Sequence, residues 1–140
     1  ASRPLGRPAL GDREQAGTAT KKNRPFHMRL GSAVSGIGEC WRTESSFRSH
    51  VVIGALVGGA MAVLRPDPIW WAVVGLAIML VLALELVNSA FERLIDHLHP
   101  EIHSEIRCVK DMAAGGVLLL SLGSVIVAAA LAVSLGWSSA

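Results

Sequence analysis

The chain has 140 residues, which suits one domain with a tail. Hydrophobic residues make up 51% of it and charged residues only 17%, whereas a soluble domain carries roughly a quarter charged residues. Two cysteines are too few for a disulfide-rich secreted scaffold, and a net charge of +2 is too small to indicate nucleic-acid binding. The composition therefore predicts a membrane protein.

Residues 1–28 lack an apolar period and a signal-peptide core, so we expect a disordered tail ahead of a membrane domain over 29–140. Leu30, Val34, Ile37 and Trp41 then recur at helical spacing, with arginines around them. This pattern predicts an amphipathic helix over about 30–48 that lies on the membrane surface.

Three apolar runs follow, and a membrane core of about 30 Å needs about 20 helical residues. We expect transmembrane helices over about 47–64, 69–87 and 112–135, with the second continuing as a helix outside the membrane to about 98. The first run is short and spans only if Ser45 to His50 are drawn in, so a buried or re-entrant helix is its alternative.

The basic residues predict the orientation of these helices. Nine Lys and Arg precede the first run and three lie between residues 85 and 111, against one in the Arg65–Pro68 turn and none at the C-terminus. Because basic residues concentrate on the cytoplasmic side, the N-terminus and the 88–111 segment are expected in the cytoplasm.

A row of acidic residues indicates where chemistry occurs. At 100° per residue, Glu92 and Asp96 each lie within about 20° of Glu85 on the second helix, and Asn88 and Ser89 flank them. A carboxylate at the membrane boundary is costly and marks a functional site by default. Glu85 is therefore the first candidate.

Other polar residues extend this candidate site at the same cytoplasmic interface. Glu44 can pair with Arg48 at i, i+4, or it can meet Glu92 and bind a magnesium ion together with phosphate oxygens. Lys110 and Asp111 precede the third span, where Lys110 is either a membrane anchor or a partner for a γ-phosphate.

Other site classes are less well supported. The spacing of His97, His99 and His103 is not that of a standard zinc site, which favours contact with a nucleotide. No glycine-rich phosphate loop occurs in the sequence. A small proton-coupled transporter would carry its membrane glutamate in mid-span and needs no acidic row outside the membrane.

Three segments together resemble the prokaryotic integral-membrane diacylglycerol kinases. Residues 85–96, ELVNSAFERLID, are similar to that family's ELxNSAxExxxD, residues 41–48 to its W-x-N-E-x-x-F-R, and residues 110–112 to its K-D-M. The likeness runs from residue 32 to about residue 135 without a gap. Related members phosphorylate undecaprenol, which is the alternative lipid substrate.

The resemblance implies an all-α homotrimer in the bacterial cytoplasmic membrane, with three transmembrane helices and one surface helix per chain. It implies transfer of the γ-phosphoryl of Mg-ATP to the hydroxyl of diacylglycerol. By resemblance, Glu85 is the general base, and Glu44 and Glu92 hold the metal. The remaining roles are nucleotide contacts by Asn88, Glu101, His103, Lys110 and Asp111, and lipid contacts by Trp41, Phe47 and Arg48.

The sequence departs from the family pattern around the nucleotide. Ser32 stands where the family has an aromatic residue, Pro25 where it has an arginine, and Thr43 where it has an asparagine. No departure removes a proposed catalytic carboxylate. The resemblance therefore does not indicate which residues replace the family's nucleotide contacts at positions 32 and 25.

Overall fold

Helices account for nearly all of the chain that can be described. A computed structural model describes residues 25–99 and 104–138, and this part contains four helices. They are α1 (Phe26–Thr43), α2 (Ser45–Leu64), α3 (Pro68–Leu98) and α4 (Ser104–Ser138). The last three are long and apolar enough to cross a membrane, which confirms the expected count of three. The chain is an integral membrane protein.

The first helix begins earlier and ends earlier than the apolar period predicted. It starts at Phe26, because the Pro25 carbonyl accepts the amides of Met28 and Arg29. It ends at Thr43, because Glu44 has an extended backbone with φ −104° and ψ 114°. Residues 26–28 of the expected tail are thus helical, whereas residues 1–24 lie outside the described part.

The described part of the chain divides into two units, with the boundary between Gly38 and Glu39. In the first unit, the helical residues 26–38 are all exposed, including the apolar side chains of Phe26, Leu30, Val34 and Ile37. An exposed apolar stripe of this kind is the feature on which the prediction of a surface helix rests.

In the second unit, α3 packs against both α2 and α4. Met61, Val74 and Leu131 bring the three helices together in one buried cluster near the α2–α3 turn. That turn is tight: Arg65 adopts a left-handed conformation and its amide bonds to the Met61 carbonyl at 2.8 Å, after which Pro68 opens α3. Most other large apolar side chains of these helices are exposed, as expected for surfaces that face lipid or further helices.

The third helix is longer than a membrane is thick. Its 31 residues extend about 46 Å at 1.5 Å per residue, against about 30 Å of hydrocarbon. Glu85 is the first acidic residue after the apolar stretch of α3, and the acidic row continues from it towards Leu98. A single helix therefore holds both the apolar segment and the polar segment that follows it.

Candidate active site

The side chain of Glu85 on α3 is buried and has a neighbour from α2. The residue is only 4% exposed, and the ring of His50 on α2 lies beside it, with Nδ1 4.0 Å from Glu85 Oε1. A buried carboxylate is costly unless it is paired. Its presence at such a position therefore indicates a functional role. The contact with His50 is an ion pair only when the imidazole is protonated, so Glu85 is the strongest functional candidate on α3.

One turn further along α3, polar contacts fix the side chains that follow Glu85. The Ser89 hydroxyl donates to the Glu85 carbonyl at 2.9 Å, and the buried Cys40 thiol donates to the Ser89 hydroxyl at 3.6 Å. The Asn88 amide donates to Glu92 Oε1 at 3.1 Å. Asn88 Oδ1 is buried and has no hydrogen-bond partner, so one oxygen acceptor remains available next to the Glu92 carboxylate.

Arg93 connects α3 to the junction between α1 and α2. Its guanidinium lies 3.5 Å from Glu39 and 3.6 Å from Glu44, and it donates to the Thr43 hydroxyl. The expected pair of Glu44 with Arg48 is replaced by this contact. Arg48 instead donates to the Trp41 and Arg42 carbonyls at 3.1 and 3.2 Å, which caps the C-terminal end of α1.

The two candidates at the start of α4, Lys110 and Asp111, differ in their contacts. Lys110 Nζ forms a 2.8 Å ion pair with Asp96 Oδ1, so the acidic row of α3 and the start of α4 are directly linked. Both groups are at least partly exposed, so this pair contributes little to stability. Asp111 is exposed and makes no ion pair within the described residues.

The expected metal pair is not brought together as a closed site. Glu44 is next to Arg93 and Glu92 is held by Asn88. Among residues 25–99 and 104–138, no three His, Cys, Asp or Glu side chains gather as a metal site. His97 and His99 are exposed. Glu101 and His103, the other expected nucleotide contacts, lie outside the described residues.

The residues expected to contact lipid fall into two groups. Trp41 is 43% exposed and Arg48 is half-buried with its head group at the α1–α2 junction. Phe47 is buried, so its side chain serves the packing of this chain. Lipid contact by Trp41, Phe47, Arg48 and Glu85 stays a prediction.

Three side chains in this region were not among the sequence candidates: His50, Arg93 and Ser121. His50 immediately precedes the first apolar run, Ser121 lies within the third, and Arg93 resembles any basic residue outside a membrane span. Their contacts cross between elements, so no spacing within one helix reveals them. The one available signal was the presence of a histidine beside an otherwise uncharged span.

Comparison with known proteins shows which family this chain resembles. The family model described as prokaryotic diacylglycerol kinase matches residues 31–132, which is well over half of the chain. The chain belongs to the prokaryotic diacylglycerol kinase family. Family members of known name support the same assignment and differ in how much of their length this chain covers.

Three relatives illustrate this coverage. A diacylglycerol kinase of Synechocystis is 36% identical over 96 residues, which are 68% of this chain and 55% of the relative. An undecaprenol kinase of Bacillus subtilis is 32% identical over 102 residues, covering 73% of this chain and 83% of the relative. A diacylglycerol kinase of Escherichia coli is 31% identical over 96 residues, covering 69% and 79%. The chain thus spans about half the length of the Synechocystis relative.

Proposed function

We propose that this protein is a lipid kinase that transfers the γ-phosphoryl of Mg-ATP to the hydroxyl of diacylglycerol, giving phosphatidic acid. The observation that carries the proposal is the buried Glu85, 4% exposed, at the point where α3 changes from apolar to acidic. A lipid hydroxyl is anchored at the headgroup level, so a base is needed at that depth. Family membership supports a kinase over the proton-coupled transporter.

In the proposed reaction Glu85 is the general base. It accepts the hydroxyl proton as the lipid oxygen attacks the γ-phosphorus and ADP leaves. Phosphoryl transfer needs little covalent chemistry from the protein, so catalysis consists mainly of positioning and charge stabilisation. Lys110 and Asp111 are proposed to contact the nucleotide, with Asn88, Glu101 and His103, at the end of α3 and the start of α4.

The residues around Glu92 fit a magnesium ion. Asn88 Oδ1 is a buried oxygen without a partner and Glu92 contributes a carboxylate, which are the hard oxygen ligands that Mg²⁺ prefers. A bound Mg²⁺ would keep several waters and phosphate oxygens as ligands, so a closed protein cage is not required. When bound, it neutralises phosphate charge. Glu92 and Glu44 are the proposed protein ligands.

We also propose that the kinase is a homotrimer in the bacterial cytoplasmic membrane, with its N-terminus in the cytoplasm. The proposal rests on the family, on the exposed apolar faces of α2, α3 and α4, and on the twelve basic residues on one side against one on the other. Lipid contacts are assigned to Trp41, Phe47, Arg48 and Glu85.

The lipid substrate is tested by phosphate transfer from ATP labelled at the γ-phosphate, in mixed micelles that contain either diacylglycerol or undecaprenol. We expect the label in phosphatidic acid. Faster labelling of undecaprenol would transfer the assignment to that polyprenol, a substrate favoured by the well-covered Bacillus relative. Asp67→Asn, a matched variant at the other end of α3, should label lipid as the wild type does. Absence of label from both lipids would contradict a lipid kinase.

A further inference from the structure

Arg93 is the one side chain in the described ranges that forms an ion pair with a proposed metal ligand. Its Nη2 lies 3.6 Å from Glu44 Oε1, and its Nη1 lies 3.5 Å from Glu39 Oε1. Nη2 also donates to the Thr43 hydroxyl. Because different nitrogens of the guanidinium face the two carboxylates, the contact with Glu44 can break while the contact with Glu39 remains.

The other basic side chains near this site are held elsewhere. Lys110 pairs with an acid of α3 at 2.8 Å, and Arg48 donates to backbone carbonyls of α1. The His50 ring is on the apolar side of the site: its Nε2 lies 3.4 Å from the Ser121 hydroxyl, and it adjoins a cavity of about 250 Å³ with a mostly apolar lining. None of these side chains forms an ion pair with Glu44 in the part of the chain that the structure describes.

The charge of Arg93 affects a metal ion and a nucleotide in opposite ways. A divalent cation that binds Glu44 must replace the guanidinium and is then repelled by it at close range. A nucleotide phosphate instead attracts the guanidinium, whose forked N–H groups match phosphate oxygens. A metal ion that arrives with a nucleotide therefore gives Nη2 a new partner in place of Glu44, and a metal ion that arrives alone does not.

We propose that Arg93 couples metal binding to nucleotide binding: it pairs with Glu44 in the empty protein and contacts a nucleotide phosphate once Glu44 holds the metal. This inference rests on the proposed kinase function, in which Glu44 is a magnesium ligand. The exchange disfavours Mg²⁺ alone and favours Mg²⁺ together with ATP. By thermodynamic linkage, each ligand raises the affinity for the other by the same factor.

The direct test uses Mn²⁺ in place of Mg²⁺ and measures its binding by electron paramagnetic resonance. The full chain is placed in phosphatidylcholine nanodiscs at low ionic strength, with or without an ATP analogue that has a methylene group between the β and γ phosphorus atoms. The Mn²⁺ that still binds to Glu44→Gln is subtracted.

We expect Arg93→Gln to change the two affinities in opposite directions. Mn²⁺ alone should bind about 5-fold more tightly, because the repulsion is removed. The Mn²⁺ complex of the analogue should bind about 10-fold more weakly, because the phosphate loses charge-assisted hydrogen bonds. A structural role for Arg93 would weaken both, so two affinities that fall together, or that both stay unchanged, would overturn the coupling.

Two further variants serve as controls. Arg42→Gln removes the same charge from the same junction, but Arg42 is exposed and forms no ion pair within the described residues, so both affinities should stay at the wild-type values. Arg93→Lys keeps the charge but lacks the fork, so we expect wild-type binding of Mn²⁺ alone and weaker binding of the analogue complex. Equal effects of Arg42→Gln and Arg93→Gln would contradict a specific exchange at Glu44.

These measurements separate the two proposals. If the wild type phosphorylates no lipid while Arg93→Gln changes the two affinities in opposite directions, the kinase proposal fails and the coupling stands. If the wild type phosphorylates lipid while the two affinities do not move apart in Arg93→Gln, the role of Arg93 fails alone.

Discussion

At the scale of single residues, the acidic candidates are held by cationic or amide partners from their own chain. Arg93 neutralises Glu44 and Asn88 orients Glu92. Arg93 and Glu44 are both partly exposed, and exposed ion pairs contribute at most about 1 kcal/mol. Because this pair is weak, Glu44 would exchange Arg93 for a metal ion at small cost, which is consistent with its proposed role as a magnesium ligand.

Magnesium titration of the kinase activity tests these two carboxylates. Glu44→Gln and Glu92→Gln each remove one oxygen ligand, so we expect the Mg²⁺ concentration for half-maximal activity to rise by at least about 10-fold. Glu39→Gln is the matched control, because Glu39 loses the same Arg93 contact but has no proposed metal role. Unchanged titrations in both Glu44→Gln and Glu92→Gln would exclude the shared cation.

At the scale of secondary-structure elements, one glycine sets the distance between α2 and α3. A Cβ atom at Gly54 would lie 2.9 Å from Ile78 Cγ2, a contact that real structures essentially never show. The Ile78 methyl sits on a branched Cβ, so it cannot move without a change of rotamer or backbone. Gly54 is therefore required by packing, close to the cavity that adjoins His50.

Thermal unfolding in detergent tests this contact. Gly54→Ala should lower stability by about 1–3 kcal/mol relative to Gly59→Ala, because overpacking strains the helix pair. Gly59 lies on the same helix, and a Cβ atom there would meet nothing within 4 Å, so its substitution brings the same gain in helix propensity without the clash. Equal melting temperatures for the two variants would show that α2 and α3 are not in close contact at Gly54.

Some helix boundaries could be predicted from the sequence and others could not. The turn at Arg65–Pro68 and the three spans follow from apolar length and from proline, both local properties. The end of α1 at Thr43 was not predicted, because the polar and apolar period continues through Glu44. That helix end depends on the extended backbone of Glu44 and on Arg48, which caps the carbonyls from the next helix.

At the scale of the whole molecule, the distribution of polar side chains determines what the fold can do. The acidic row of α3 could be predicted from the sequence, because all of its members share one helix and a fixed 100° step. His50, Arg93 and Ser121 could not be predicted, since each acts across an interface between helices. The orientation of the molecule depends on the basic residues and is open to a direct test.

Labelling of the native cysteines tests the orientation. Cys108 is exposed and precedes the apolar part of α4, whereas Cys40 is buried. We expect a membrane-impermeant maleimide to label Cys108 in inverted membrane vesicles and not in intact spheroplasts, because the basic residues predict that this segment faces the cytoplasm. Arg65→Cys, in the opposite turn, should give the reverse pattern. Labelling of Cys108 from outside intact spheroplasts would invert the topology.

The buried carboxylate of Glu85 is proposed to remove the proton from the lipid hydroxyl, and Glu85→Gln tests this central role most directly. The amide keeps the size of the side chain but cannot accept the proton, so kcat for lipid phosphorylation should fall by about 100- to 10,000-fold while ATP binding is retained. Asp67→Asn, which removes a carboxylate at the opposite end of α3, should keep wild-type turnover. A Glu85→Gln protein that turns over within a few-fold of the wild type would contradict this role.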